Sequence, residues 1–433
     1  MKILFSYIKR LLLRDTAKTI SMAVFTQAML SFTNFIVAVS IAKFATKAEY
    51  GIYVILFSII GIIGTYQNAL VNTPLTVLAP VKQGTDRTSF LSGLALGQCV
   101  LFPPIIILAI VVLSIFSFIY ANINIFIYTL ALAFATSTYL FREFIRTINY
   151  IKLTINVLLK LDFIFVLFIA ITLSTLIAYE KVTSTASIII LGCGYLVCAI
   201  FGYYTGGEVY FFNIKSIKAA FKETWKYSRW TLIGVTSDIF KNRAYIYIIA
   251  VILTIDQLAE ISIARLLLMP IGLVVGSTGK IILAKGANIL HNRGDDKLKT
   301  FIFSICGLLI VLLASYLFIL WLIFDLVLSF LGTKYAHIQT FVVLWSLFFL
   351  IYSIRYSFTN ALSIYKEFKV QAKYDILSAI VTILACLILT STLQGNGTIF
   401  SLVVGELTAL LLSATKIISI FKHKNYIISE QVI

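Results

Sequence analysis

Three ionisable side chains lie close together in one long apolar stretch of the chain. Asp238, Lys241 and Arg243 belong to residues 230–253, a segment long and apolar enough to cross a bilayer as a helix. A charge at the centre of a bilayer costs about 3 kcal/mol or more, so it is retained where it faces a partner or a wet cavity. Side chains of these types can bind an anion or carry a coupling ion. We therefore expect this segment to line a substrate path.

Further ionisable residues occupy the interiors of other apolar stretches. They are Arg142, Arg146, Lys160, Asp162, Arg265, Arg355 and Glu406. Together with the first three they make seven cations and three anions, and this excess of cations favours an anionic ligand. Arginine suits such a ligand because its fork holds phosphate oxygens with two parallel hydrogen bonds. Other roles stay open, namely anchoring of Arg142 and Arg146 at the interface, snorkelling of Lys160, and structural ion pairs for the rest.

Helical geometry divides the first three charges between two faces. Asp238, Lys241 and Tyr245 follow the i, i+3, i+7 spacing of one face, whereas Arg243 points nearly the opposite way. We expect Arg243 to pair with a carboxylate on a neighbouring helix, with Glu406 as the leading candidate. The carboxylates Asp162, Asp238 and Glu406 are candidates for ion pairing or for carrying a coupling proton or sodium ion. The expected cationic cavity is lined by Lys160, Lys241, Arg265, Arg142 and Arg146.

The composition places the elements that position these charges in a membrane. Of the 433 residues, 60% are hydrophobic and only 12% are charged, and the mean hydropathy is +1.00. Continuous apolar runs of roughly 20 residues predict transmembrane helices rather than the alternating strands of a β-barrel. The net charge of +17 does not indicate nucleic-acid binding, because most cations lie in short segments between apolar runs, where they report topology.

No pattern typical of an enzyme or a metal site is present in the sequence. The five cysteines lie in apolar runs and form no C-x-x-C pair, so we expect them to be packing residues. The chain lacks a Walker A sequence, and its histidines do not cluster. We therefore expect no enzymatic activity, no bound metal and no other cofactor.

Twelve apolar runs are long enough to be spans. Their approximate limits are 19–44, 50–74, 89–116, 124–148, 153–178, 185–211, 230–253, 257–279, 300–324, 336–361, 371–393 and 397–421. With a cytoplasmic amino terminus, the cytoplasmic segments hold 22 lysines and arginines and the outer loops hold four, which is the bias of the positive-inside rule. The basic leader has no small-residue cleavage site. We predict an all-α polytopic membrane protein with both termini in the cytoplasm and no cleaved signal peptide.

A basic segment at residues 212–229 divides these spans into two groups of six. Its lysines recur at helical spacing beside apolar residues: Lys215, Lys218, Lys222 and Lys226, with Ile214, Ile217, Phe221 and Trp225. The pattern predicts an amphipathic helix that contacts anionic lipids at the cytoplasmic leaflet, although a plain linker fits equally well. The predicted lobes are residues 1–211 and 230–433. Six spans in each lobe give both the same orientation, which makes the repeat parallel.

The amino-terminal hairpin carries a pattern that points to a family. An apolar helix that includes residues 31–43 is followed by a short turn and the sequence Glu49-Tyr50-Gly51-Ile52-Tyr53. This hairpin resembles that of the polysaccharide-repeat flippases of the multidrug/oligosaccharidyl-lipid/polysaccharide exporter superfamily. The motif covers mainly residues 31–75 and marks the fold rather than the chemistry. The turn after the seventh span reads Glu260-Ile-Ser-Ile, so the Gly-x-Tyr element is missing there.

The resemblance implies that the chain moves undecaprenyl-pyrophosphate-linked oligosaccharides, such as O-antigen repeat units, across a bacterial inner membrane by alternating access. Gln27, Asn34, Gln67 and Asn68 are then candidates for sugar contacts, although such side chains more often bond neighbouring helices. A polysaccharide polymerase and a chain-length regulator are the implied protein partners. Two alternatives stay open. A membrane polymerase or ligase is expected to have a large outer loop, which is lacking here, and a drug or cation antiporter of the same superfamily would favour an acidic cavity.

Overall fold

The computed structural model describes residues 22, 25–119, 125–206 and 213–430. All regular elements in these ranges are helices, as the apolar runs predict. The chain divides into two compact units, the first ending at Val235 and the second beginning at Thr236. The predicted limits of the lobes at residues 211 and 230 stay a prediction. The basic leader and the beginning of the first predicted span, and the end of the sixth span at 207–211, lie outside the described residues.

The described part of the first unit is a bundle of helices around an apolar core. These helices are α1 (Phe25–Phe44), α2 (Lys47–Gln67), α3 (Thr73–Leu78), α4 (Gly84–Ile119), α5 (Ile125–Ile151), α6 (Ile155–Ala178), α7 (Ser184–Gly206) and the first part of α8 (Ile214–Ile252). A single π-helical turn, Asn68–Asn72, joins α2 to α3. Helix α5 packs chiefly on α7 and also contacts α2, α4 and α6. This central position explains why α5 can hold charged side chains away from solvent.

The Glu49-Tyr50-Gly51 motif fastens α2 to the rest of the first unit. The side chain of Thr46 caps α2 by accepting a hydrogen bond from the backbone N–H of Glu49 at 3.2 Å. The Glu49 carboxylate in turn accepts a hydrogen bond from the backbone N–H of Ser184, the first residue of α7, at 2.6 Å. A carboxylate is favourable there because the amino end of a helix carries partial positive charge. Tyr50 and Tyr53 are buried, so the motif serves the fold, as expected.

The second unit contains two long helices that are each interrupted by a kink. Its helices are the rest of α8, α9 (Ile255–Leu322), α10 (Phe324–Leu331), α11 (Gln339–Ile364) and α12 (Phe368–Glu430). Gly294 (φ 78°) interrupts α9 and Gln394 (φ 54°) interrupts α12. Helix α9 begins at the cap Thr254, whose side chain accepts from the N–H of Gln257 at 3.2 Å. Thr46 caps α2 in the same way, so the two outer turns share their start although the second lacks Gly-x-Tyr.

The helices of the structure contain the predicted spans, with some differences in their limits. Among the described residues, nine helical stretches are long and apolar enough to cross a membrane. One of them, Phe368–Lys422, holds two predicted spans joined at the kink. The fourth and seventh predicted spans are helical as α5 and α8 but fall outside these nine. The chain is therefore a multi-span membrane protein, and the count of twelve spans stays a prediction.

The basic segment is not a separate surface helix but the first part of α8, which runs unbroken to Ile252. The face that it turns to the protein is a stripe of small buried residues, Ser216, Ala220, Thr224 and Ser228. This stripe packs on α4, where a side chain at Gly93 would lie only 3.0 Å from the Cβ of Ala220. Ile214 and Trp225 stay exposed beside the lysines. The outward face thus combines apolar and cationic side chains, which fits a membrane surface.

Candidate functional site

The first unit holds a cluster of four charged side chains on two adjacent helices. Helix α5 places Arg142 and Arg146 one turn apart, and α6 brings Asp162 between them. Arg142 Nη2 lies 3.0 Å from Asp162 Oδ1, and Arg146 Nη2 lies 3.1 Å from Asp162 Oδ2. Glu143 binds the other side of both guanidinium groups, at 2.7 Å from Arg142 and 3.2 Å from Arg146. The guanidinium of Arg142 also lies over the rings of Phe165 and Tyr195, at 4.8 and 5.4 Å from their centroids.

This first cluster is electrically balanced, with two arginines and two carboxylates. Asp162 is 0% exposed and both arginines are buried. Their hydrogen-bonding forks are therefore occupied by protein carboxylates in this structure. An anion can bind Arg142 and Arg146 here by displacing a carboxylate. The predicted cation site and the predicted Asp162 ion pair are thus one and the same group of residues.

The second unit has a similar buried cluster around Glu406, a residue with 0% exposure. Lys241 from α8 lies with Nζ 2.8 Å from Glu406 Oε1. Arg355 from α11 donates through Nε to Glu406 Oε2. The predicted pairing of Glu406 with Arg243 is wrong, because both carboxylate oxygens are engaged by these two other cations. Helical spacing gives the direction of a side chain on its own helix but not which neighbouring helix it meets.

Asp238 and Lys241 share a helix face, as predicted, but they meet different surroundings. Lys241 is buried against Glu406. Asp238 is exposed and accepts a hydrogen bond from Asn242 Nδ2 at 2.7 Å. An ion pair between Asp238 and Lys241 within α8 is therefore not what holds Lys241. Which of the two faces a substrate stays a prediction.

Arg265 of α9 is held on an aromatic platform. Its Nη1 donates to the hydroxyl of Tyr245 at 2.8 Å, and its guanidinium lies 5.2 Å from the ring centroid of Trp345 and 5.5 Å from that of Tyr245. Trp345 is itself fixed by a hydrogen bond from Nε1 to the carbonyl of Ile261 at 3.1 Å. Arg243, which is half-buried, is close enough to Arg265 for electrostatic repulsion between the two. Two neighbouring arginines on a rigid platform make a favourable site for an anion.

The remaining predicted site residues are scattered. Lys160 and Gln27 are exposed. Asn34 is half-buried, and its Oδ1 is a buried acceptor that has no hydrogen-bond partner among the described residues. Gln67 is fully buried and donates to Gln98 Oε1 at 2.5 Å and to the carbonyl of Leu140 at 2.6 Å. It joins helices in this structure, while its neighbour Asn68 is exposed on the π-helical turn.

Sequence reasoning missed Asp375, near the start of α12. This residue is half-buried and lies within electrostatic range of Arg355 and Lys241. It was passed over because it stands at the edge of a predicted span, where a carboxylate needs no special explanation. A signal was present in the sequence: Tyr-x-x-Arg, followed by Asp twenty residues after the Arg, occurs at Tyr139 and again at Tyr352.

No family model matches the sequence, and no curated protein matches it. Solved structures do. A lipid II flippase, MurJ, in an inward closed conformation has a TM-score of 0.69 at 14% identity, covering 92% of this chain and 87% of its own. An inward-facing multidrug resistance MATE transporter of the MOP superfamily has 0.64 at 13% identity, covering 90% and 95%.

A MOP-superfamily transporter from Pyrococcus furiosus is a third similar structure. Its TM-score is 0.56 at 12% identity, covering 93% of this chain and 95% of its own. Identities this low establish the fold and nothing more specific. The predicted fold class is thereby confirmed: the chain has the helical fold of the MOP-superfamily transporters.

Proposed function

We propose that this protein is a flippase that moves a lipid-linked oligosaccharide, joined to its polyprenyl carrier by pyrophosphate, across a bacterial inner membrane. The observation that carries the proposal is the Arg265 platform, with Arg243 beside it. A pyrophosphate offers several anionic oxygens, and two neighbouring guanidinium groups match that pattern. Both cations keep their charge at any physiological pH because arginine does not deprotonate in proteins. The likeness to a lipid II flippase supports the same class of substrate.

The platform explains how such a site would hold a phosphate. The hydroxyl of Tyr245 and the ring of Trp345 fix the guanidinium of Arg265, so little side-chain entropy is lost when an anion binds. The exposed or half-buried polar residues Gln27 and Asn34 remain candidates for the sugar part. In alternating access, the carboxylates of the two buried clusters would compete with the phosphate for cations. O-antigen units are the sugar substrate that we favour.

The test is a flipping assay with purified protein in liposomes that contain a fluorescent polyprenyl-pyrophosphate oligosaccharide. We expect Arg265→Lys to lower the rate about 10- to 150-fold, since a hydrogen bond to a charged group contributes about 1.5–3 kcal/mol. Arg293→Lys is the matched control, because Arg293 is exposed on the same helix, α9. An unchanged rate in Arg265→Lys would remove the platform from the mechanism.

A drug or cation antiporter is the second candidate, and the likeness to MATE transporters favours it. The same liposomes can be loaded with a cationic dye to measure its export under a proton or sodium gradient. Dye transport that survives Arg265→Lys, without any flipping of the lipid-linked substrate, would establish this second function instead. A polymerase or ligase is disfavoured, since the similar solved structures are transporters.

We also propose that both termini lie in the cytoplasm and that the lysine face of α8 contacts anionic lipids there. Lys215, Lys218, Lys222 and Lys226 are exposed next to Trp225, a combination that suits the headgroup region. Topology reporters fused to each end measure the first point. Binding to liposomes with and without anionic lipid, in a variant with all four lysines changed to glutamine, measures the second. A polymerase and a chain-length regulator are the protein partners expected for such a pathway.

A further inference from the structure

Two helical hairpins, one in each unit, have the same length and the same turn. Helix α5 ends at Ile151 and α6 begins at Ile155. Helix α11 ends at Ile364 and α12 begins at Phe368. Each boundary of the second hairpin therefore follows its counterpart by 213 residues. The two hairpins are in register as copies of one structural unit.

The backbone of the two turns agrees in detail. Leu153 has φ 56° and Lys366, 213 residues later, has φ 60°, a conformation that non-glycine residues rarely adopt. In the first turn the N–H of Leu153 donates to the carbonyl of Tyr150 at 3.1 Å, and in the second the N–H of Lys366 donates to that of Ser363 at 3.0 Å. These donors and acceptors differ by the same 213 residues. A strained feature repeated in the same place is a specific sign of equivalence.

The register also pairs the chemically important side chains. It makes Tyr139 equivalent to Tyr352, Arg142 to Arg355, and Asp162 to Asp375. In the first unit the equivalent arginine and aspartate are in contact, with 3.0 Å between Arg142 Nη2 and Asp162 Oδ1. In the second unit, Glu406 from beyond the kink in α12 holds Arg355 instead. Asp375 is left nearby, half-buried and facing the same two cations, Arg355 and Lys241.

We propose that Asp375 is a second carboxylate partner for Arg355, equivalent to Asp162, and that Arg355 exchanges between Glu406 and Asp375. Asp375 is then a positioning residue, which receives Arg355 whenever Glu406 releases it. The exchange itself is a property of the second unit. Its use during substrate movement rests on the proposed flippase function, and the experiment below keeps the two separate.

The experiment is a double-mutant cycle on the stability of purified protein in detergent, which requires no substrate. Asp375→Asn is measured in the natural sequence and again with Glu406→Gln. We expect a loss of unfolding midpoint about twice as large or more in the Glu406→Gln background, because Arg355 then depends on Asp375. Asp296→Asn, at an exposed position of α9, should show the same small loss in both backgrounds. Asp375→Glu should restore most of the stability that Asp375→Asn removes.

Equal losses from Asp375→Asn in the two backgrounds would overturn the proposal. If Glu406→Gln alone cannot be purified, Lys241→Met/Glu406→Gln replaces it, since that pair of changes removes one cation with the carboxylate. The flipping assay is run on Asp375→Asn in parallel. Normal flipping together with a positive cycle would confine the exchange to stability and leave the flippase function intact, whereas absent flipping in the natural sequence would refute only that function.

Discussion

Asp162 and Glu143 bridge the same two arginines, yet their removal should have unequal effects on stability. Their distances to Arg142 and Arg146 fall between 2.7 and 3.2 Å, so a count of contacts predicts equal losses. Their burial differs: the side chain of Asp162 is 0% exposed and that of Glu143 is 21% exposed. The loss from each variant therefore depends on whether water can reach the arginine nitrogens that are left.

Asp162→Asn leaves two buried guanidinium groups facing one neutral amide. Breaking a buried ion pair by removing one partner costs about 3–5 kcal/mol. Glu143→Gln leaves nitrogens that water can reach, so we expect about 1 kcal/mol, as for an exposed pair. The expected difference of about 2 kcal/mol or more is a large share of a typical protein's stability, about 5–15 kcal/mol.

The measurement is unfolding of each purified variant in mixed micelles by titration with a denaturing detergent, followed by tryptophan fluorescence. Asp296→Asn serves as the control for the aspartate-to-asparagine change itself, because Asp296 is exposed. Equal losses from Asp162→Asn and Glu143→Gln, or a larger loss from Glu143→Gln, would refute the reasoning from burial.

Two further predictions concern packing and pH. Gly97→Ala should lower stability by about 1–3 kcal/mol, since the new Cβ would collide with the ring of Phe221, whereas Gly276→Ala, where nothing lies within 4 Å, should not; equal melting temperatures would contradict this. The Tyr365 hydroxyl donates to Asp295 between two predicted spans, and burial, with the hydrogen bond and charge of Asp295, raises the pKa of Tyr365. A raised pKa stabilises the fold fully below about pH 10, the unfolded value, so the loss from Tyr365→Phe should be constant from pH 6 to about pH 9 and should shrink in more alkaline solution; a loss that shrinks near neutral pH would contradict it.

The sequence predicted the helices and most of the buried charges because both follow local rules. Apolar runs gave the spans, and the spacing of Arg142 and Arg146 placed them on one turn of α5. The partner of Glu406 was predicted incorrectly, because the rotation of α8 against α11 and α12 depends on packing of whole helices. For the same reason Lys241 and Asp238, on one face, meet different surroundings.

The second kink shows a different limit of prediction. Gln394 adopts φ 54° inside an apolar region, and no glycine stands at that position to announce a turn. The break nevertheless separates Asp375 from Glu406 on what would otherwise be one helix. Two carboxylates 31 residues apart in sequence thereby reach one arginine. Such an arrangement follows from tertiary packing that a single sequence does not display.

The bond between Glu49 and Ser184 has a consequence for how the protein is made. Its two residues are 135 positions apart, and a chain grows by about 5–20 residues each second, so roughly 7–27 s of synthesis separates them. During that interval the first hairpin is already inserted while its carboxylate awaits the start of α7. Glu49→Gln should therefore slow maturation of the newly made protein more than it weakens the finished one, and the family motif acts as a late latch that closes the first unit during biogenesis.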